Sequence, residues 1–152
     1  MKKIIKKFGI LSLLIGIFSF ASPNQEVSYS LTINVESLKN SKGVVQYALY
    51  NKDGSIPDEK YERYFRKGIA EIKNNKSTLT FNDLPAGKYA ISILHDENEN
   101  GKIDKKFLVP MPSEGVGISN YESIGLFNRP NFSKASFRID INLTKLVSII
   151  YL

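Results

Sequence analysis

The chain has no cysteine and only one histidine, His95. Without cysteine there is no disulfide, no thiol catalysis and no thiolate zinc site, and we expect no lipid anchor of the bacterial lipoprotein type. A single histidine also excludes the usual multi-histidine zinc and copper sites. Stability must therefore come from an ordinary hydrophobic core, assisted at most by a bound ion.

The first 21 residues have the pattern of a secretory signal peptide. Four lysines precede a nearly unbroken apolar stretch, and Ser19 and Ala21 place small residues at the two positions that a signal peptidase reads. From Phe8 to Ala21 the stretch has 14 residues, whereas a membrane-spanning helix needs about 20. We predict cleavage after Ala21, export to the periplasm or the cell exterior, and no membrane span afterwards.

Removal of this segment changes the charge of the protein. The chain has 21 Lys and Arg and 15 Asp and Glu, and four of the lysines lie in the predicted signal peptide. The mature chain therefore keeps 17 cations against 15 anions, a net charge near +2, which argues against nucleic acid or an anionic membrane as a partner. Residues 22–152 are enough for one domain with a real core and too few for two.

Alternation of apolar and polar residues indicates strands along most of the mature chain. We predict strands at 27–36, 44–50, 68–73, 77–81, 88–94, 135–143 and 146–151. The turn sequence Asn74-Asn75-Lys76 indicates a hairpin, and one or two helical turns are expected to bury Tyr61, Tyr64 and Phe65. A loop-rich stretch, predicted to be an insertion, covers about 95–131.

About seven short strands with almost no helix predict an all-β fold, a single antiparallel β-sandwich. The segment Leu84–Ile91, with its Pro-Ala-Gly-Lys-Tyr sequence, is similar to a turn and strand of transthyretin-like (prealbumin-like) and carboxypeptidase-regulatory-like sandwich domains. Here Pro85 fixes φ, Gly87 allows a positive φ, and the Tyr89 hydroxyl is expected to bond back to the loop.

The run from Asp96 to Asp104 matches the front of an EF-hand calcium loop. Oxygen-bearing side chains occupy its first, third, fifth and ninth positions, glycine the sixth and Ile103 the eighth. Ile103 is expected to anchor the loop to the core, while Glu97 and Glu99 point outward. The predicted ligands of a structural calcium ion are Asp96, Asn98, Asn100, the Lys102 carbonyl, Asp104 and Glu114.

Two features separate this loop from an EF-hand. The twelfth position is Phe107 rather than glutamate, and no helical pattern flanks the loop. A bidentate carboxylate must therefore come from elsewhere, for which Glu114 is the best candidate and Asp140 or Glu122 are weaker ones. The alternative interpretation is a solvated hairpin loop, because Asn100-Gly101 is also a favoured two-residue turn.

Several segments together resemble a bacterial family of exported proteins known as domain of unknown function 2141. The resemblance is carried by 89–91, 95–104, 112–120 and 129–137, and it extends over essentially the whole mature chain. It implies export and the sandwich fold. The family has no established activity, so the resemblance implies none for this chain.

Two other functions remain open on the sequence. A hydrolase would use His95 and the acidic loop, with a serine nucleophile at Ser92, Ser113 or Ser119. A carbohydrate-binding module would use the aromatic residues Tyr61, Tyr64 and Phe65. We favour a non-enzymatic, calcium-stabilised module with a structural or binding role in the cell envelope, whose partner is an envelope protein or a glycan.

Overall fold

The computed structural model describes residues 27–106, 111–125 and 127–152. The predicted signal peptide therefore lies outside the described residues. The described chain forms eight strands and one short helix. In order these are β1 (Ser28–Val35), β2 (Val44–Tyr50), β3 (Arg66–Glu71), β4 (Ser77–Pro85), β5 (Gly87–Asp96), β6 (Gly115–Ile118), α1 (Phe132–Ala135), β7 (Phe137–Ile139) and β8 (Leu143–Leu146).

The strands form two sheets, which confirms the predicted all-β sandwich. The smaller sheet has the order β4-β1-β8 and the larger the order β3-β2-β5-β6, with β7 paired to the start of β5. Every pairing is antiparallel except that of β1 with β8, which is parallel. No helix of the described residues has the length and apolarity that a membrane span requires.

The main core lies between the two sheets and follows the predicted alternation. On β1 the side chains of Leu31, Ile33 and Val35 are fully buried. From the larger sheet, alternate residues of β2 and β5 pack against them. These residues are Val45, Tyr47, Leu49, Tyr89, Ile91 and Ile93.

A second core covers the opposite face of the larger sheet. Here Ala48 and Tyr50 of β2 and Ala90 and Leu94 of β5 are fully buried. The cover comes from the connections before β3 and after β6, through Ile56, Tyr61, Tyr121, Phe132 and Ala135. Strand β5 is thus buried on both faces, in keeping with its nearly continuous apolar sequence.

The link between β4 and β5 carries the chain from one sheet to the other. Strand β4 ends at Pro85 and β5 begins at Gly87, so only Ala86 lies between them. The Tyr89 hydroxyl donates a hydrogen bond to the Pro85 carbonyl at 2.8 Å. This confirms the expected tie between the tyrosine and the turn.

Three local predictions are wrong. A turn joins Lys73 to Lys76, but β3 pairs with β2 and β4 with β1, so the two strands do not form the predicted hairpin. The helical turns expected before β3 are absent from that described segment, where Tyr61 is buried but Tyr64 and Phe65 are 42% and 39% exposed. Near the C-terminus, the strands predicted at 135–143 and 146–151 differ from those observed, because β7 ends at Ile139 and β8 covers Leu143–Leu146.

Candidate cation-binding loop

The loop begins at Asp96, the last residue of β5, whose carboxylate is fully buried. Its Oδ1 accepts a hydrogen bond from the backbone of Asn100 at 3.1 Å and its Oδ2 one from Gly101 at 2.8 Å. Gly101 has φ +78°, a left-handed conformation that residues with a side chain rarely adopt. The loop backbone is therefore wrapped around the Asp96 carboxylate.

Three further predicted ligands meet beside this turn. The side-chain Nδ2 atoms of Asn98 and Asn100 both donate to Oδ2 of Asp104, each at 2.8 Å. Their Oδ1 atoms accept backbone hydrogen bonds from Asn100 at 3.2 Å and Lys102 at 2.8 Å. Ile103 packs against the second core, as expected of a residue that anchors the loop.

Glu114 joins both ends of the loop. Its side chain is 6% exposed, and its Oε1 and Oε2 accept from the backbone of Glu97 at 3.0 Å and of Asp104 at 3.5 Å. Burial raises the pKa of Glu114; these backbone hydrogen bonds oppose the rise, and the charges of Asp104 and Asp96 add to it. The structure thus brings Glu114 to the loop, although 17 residues separate it from Glu97.

Gln46 belongs to the site but was not predicted from the sequence. It lies on β2 opposite Leu94, is 1% exposed, and donates a hydrogen bond from Nε2 to Oδ2 of Asp96. Its Oε1 is buried and has no hydrogen-bond partner among the described residues. The signal in the sequence is an amide within an otherwise apolar strand, Val44–Tyr50, at a position that faces the second core.

The loop carboxylates lack cationic neighbours. Within the described ranges, no Lys or Arg nitrogen lies within 4.0 Å of the carboxylates of Asp96, Asp104 or Glu114. Glu97, by contrast, pairs with Lys39; burial opposes the fall of its pKa, but hydrogen bonds from Lys39 and Asn40 lower it below the usual value. Glu97 is thus held away from the loop interior.

The carboxylates do not converge on one point. In the part of the chain that the structure describes, no group of three or more His, Cys, Asp and Glu side chains is placed to hold a metal ion. The network instead mixes amides with carboxylates, which is the donor chemistry of a hard cation such as Ca²⁺.

Two of the weaker candidate ligands lie elsewhere. Asp140 pairs with Arg138 at 2.8 Å just beyond β7, which lies beside the start of β5, at the far end from the loop. Glu122 is exposed, beyond β6. The structure therefore brings neither residue into the network around Asp96.

His95 is fully buried on the inner side of β5, and both of its ring nitrogens are engaged. Nδ1 lies 2.8 Å from the Tyr151 hydroxyl and Nε2 lies 2.9 Å from the Lys42 carbonyl. A carbonyl only accepts, so Nε2 carries a proton, and in the neutral ring Nδ1 accepts from Tyr151. Alternation along β5 places Ser92 on the opposite face of the sheet from His95.

Comparison with known proteins identifies a family. The family model described as "Uncharacterized protein conserved in bacteria (DUF2141)" matches residues 33–146. The chain belongs to this family. The match covers every described strand except the first residues of β1 and includes the whole candidate loop. No curated protein and no solved structure matches the chain.

Proposed function

We propose that this DUF2141 protein is an exported β-sandwich module whose loop 96–104 binds one structural calcium ion. The observation that carries the proposal is the buried pair of Asp96 and Gln46. Among the residues that the structure describes, a fully buried carboxylate without a cationic partner lies next to a buried amide whose oxygen has no donor. Buried charges and orphan oxygens are costly unless a partner compensates them. A cation would compensate both.

The donor set of the loop fits calcium better than a softer metal. Carboxylate oxygens come from Asp96, Asp104 and Glu114, and Asn98 and Asn100 already direct their amides at Asp104. A half-turn of each amide exchanges its nitrogen for its oxygen. When bound, the ion supplies positive charge that holds these oxygens together; the chain supplies their positions.

The same contacts limit the affinity. Turning the two amides gives up the backbone hydrogen bonds at their Oδ1 atoms, each worth about 1 kcal/mol. The bidentate glutamate of an EF-hand is also replaced by Glu114, whose oxygens already accept backbone hydrogen bonds. We therefore expect a dissociation constant of about 10⁻⁴–10⁻³ M, the range of extracellular modules.

Calorimetry and thermal unfolding test the proposal. With a dissociation constant of about 0.5 mM, a calcium concentration of about 5 mM stabilises the protein by about 1.4 kcal/mol. This corresponds to a rise in Tm of about 5 °C over the protein in EDTA. Magnesium at the same concentration is expected to produce a much smaller shift, because it requires a tighter octahedral site.

Two matched variants localise the effect. Asp104→Asn removes the carboxylate that both asparagine amides contact and is expected to abolish the calcium-dependent rise in Tm. Asp140→Asn makes the same change at an exposed position beside β7 and is expected to keep the full rise. An unchanged Tm in calcium for the wild-type protein, together with no heat of binding, would refute the proposal.

Export and a role in the cell envelope belong to the same proposal. The support for export is the sequence of residues 1–21, which lie outside the described structure. Expression in a bacterial host is expected to yield a mature protein that begins at Ser22, which mass spectrometry of the periplasmic and culture fractions will detect. A full-length protein confined to the cytoplasm would contradict the export step without affecting the calcium test.

A further inference from the structure

A cavity of about 210 Å³ lies between the second core and the candidate loop. Its walls include Val116 and Ile118 of β6, Ile103 of the loop, and Ile56 and Ile124 of the connections that cover the sheet. Nothing in the calcium proposal uses this cavity. We propose that it binds one small uncharged apolar molecule, the size of a single six-membered ring, that carries a hydroxyl group.

The size of the ligand follows from the volume. A protein cavity of about 150 Å³ is known to hold benzene, so about 210 Å³ admits one ring with a small substituent. The walls are mostly apolar and include five side chains of the second core, so the displacement of water by an apolar ring is favourable.

The hydroxyl group follows from a buried polar residue of the lining. Of the lining residues that the structure describes, five are buried, and among these only Ser92 has a polar side chain. Its Oγ lies 3.2 Å from the hydroxyl of buried Tyr61, and either oxygen is able to donate. A serine hydroxyl has one proton and two lone pairs, so beyond its contact with Tyr61 Ser92 retains capacity for a hydrogen bond to a ligand in the cavity that it lines.

The two carboxylates at the cavity do not call for a cationic ligand, and the basic lining residue Arg129 is exposed to water at the edge of the cavity. The Asp58 Oδ2 atom accepts from the Tyr50 hydroxyl at 3.1 Å and from the Arg63 backbone at 2.8 Å. Glu59 forms an ion pair with Lys105 at 2.6 Å. Both carboxylates therefore already have partners, and a charged ligand would have to leave water for walls that are mainly apolar.

Phenol and benzene are the probes that test the proposal. Each is titrated into the protein in the presence of EDTA, which separates the outcome from that of the calcium proposal, and binding is followed by calorimetry and by chemical shifts. Phenol is expected to bind about five- to tenfold more tightly than benzene, the difference that one net hydrogen bond supplies. The shift changes are expected at Ser92, Ile103 and Ile118.

A double variant removes the polar pair without leaving an unsatisfied partner. Tyr61→Phe with Ser92→Ala removes both hydroxyls. Because neither partner of the hydrogen bond is left unsatisfied, the change is close to neutral for stability. The double variant is expected to bind phenol and benzene equally. The matched control, Tyr64→Phe with Ser133→Ala, makes the same changes at exposed positions and is expected to keep the preference.

A third variant tests the cavity itself. Ile124→Phe adds ring atoms at a half-buried position of the lining and is expected to abolish the binding of both probes. Circular dichroism and thermal melts establish that each variant is folded. The proposal is overturned if neither probe binds the wild-type protein at up to about 10 mM, if benzene binds as tightly as phenol, or if folded Ile124→Phe binds as the wild type does.

Discussion

Glu114 and Asp96 show how the environment of a single carboxylate decides its behaviour. Both are buried and both accept two backbone hydrogen bonds. Asp96 also accepts a hydrogen bond from the Gln46 amide. For Glu114, burial raises the pKa, the backbone hydrogen bonds oppose the rise, and the charges of Asp104 and Asp96 add to it.

The substitution Glu114→Gln tests the raised pKa of Glu114 in the absence of calcium. A raised pKa in the folded state means that the contribution of Glu114 to stability is present below about pH 4.5 and is lost as the pH rises through the raised value. The free energy of unfolding of the variant minus that of the wild type, both in EDTA, should therefore increase from about pH 4 to about pH 7. Urea unfolding of both proteins at each pH measures this difference.

The exposed Glu62→Gln is the control for that series. Because this side chain is in water, the stability of the variant relative to wild type should change less with pH than that of Glu114→Gln. A constant difference between Glu114→Gln and the wild type would contradict the argument.

A second prediction concerns the bond between His95 and Tyr151. Tyr151→Phe leaves the buried Nδ1 of His95 without a donor and also removes the acceptor of the Lys39 backbone, which lies 3.0 Å from the tyrosine oxygen. The expected loss of stability is about 1–3 kcal/mol. The exposed Tyr64→Phe should lose less than about 0.5 kcal/mol, and equal losses in urea unfolding would refute the role of this bond.

Much of the candidate site could be predicted at the level of residues. The spacing of Asp96, Asn98, Asn100 and Asp104 is local, because one tight loop brings alternate side chains together, and Asn98 and Asn100 do contact Asp104 in the structure. Gln46 could not be found in this way. It lies 50 residues before Asp96, and only the pairing of β2 with β5 brings the two side chains into contact.

At the scale of secondary-structure elements, one glycine allows the connection between β1 and β2 to pass close to the start of the loop. Gly43 has φ +67°, and a Cβ atom there would overlap the Asp96 carbonyl and lie 2.7 Å from the Cα of Glu97. Because both neighbours are backbone atoms, neither is able to rotate away. The end of β5, and with it the first residue of the loop, is therefore fixed by the turn before β2.

A matched pair of substitutions tests this contact. Gly43→Ala should destabilise the protein by about 3 kcal/mol or more, since strain and overlap act together. Gly54 also has a positive φ, +74°, but open space around the added Cβ. Gly54→Ala should therefore cost only about 1 kcal/mol, the conformational term alone. Similar losses for both variants in urea unfolding would mean that the overlap is relieved without cost.

Alternation predicted the positions of most strands but not their partners. The turn at Asn74 and Asn75, both with positive φ, was predicted correctly, yet β3 and β4 leave it for different sheets. Local sequence specifies a reversal of the chain; the core that each strand enters depends on distant residues. The break between β7 and β8 was missed for a related reason, because apolar Ile141 continues the alternation through Asn142 although it is exposed.

For the whole molecule, the smaller sheet joins segments from the two ends of the described chain. Strand β1 pairs in parallel with β8, and Leu31 lies opposite Leu143. Val147, which follows β8 and donates to the Asn34 carbonyl at 3.0 Å, is part of the main core. The C-terminal segment then crosses to the larger sheet, where Ile150 and Val116 exchange backbone hydrogen bonds at 3.0 and 2.7 Å.

Deletion of residues 143–152 should therefore abolish cooperative folding. The truncated protein loses one strand of a three-stranded sheet, a core residue and the partner of His95. Its circular dichroism is expected to show no cooperative thermal transition. Addition of a peptide with the sequence of 143–152 should restore the transition, whereas a scrambled peptide should not. A cooperative melt of the truncated protein alone would contradict the prediction.

The parallel pairing of β1 with β8 also sets the order of events when the chain is made. Because synthesis runs from the N-terminus, β1 emerges first and its neighbour β8 emerges last. One edge of β1 consequently stays open on the nascent chain until about residue 146 is available. An open edge is a template for pairing with another strand, so this edge of β1 is exposed to pairing with other chains until β8 covers it.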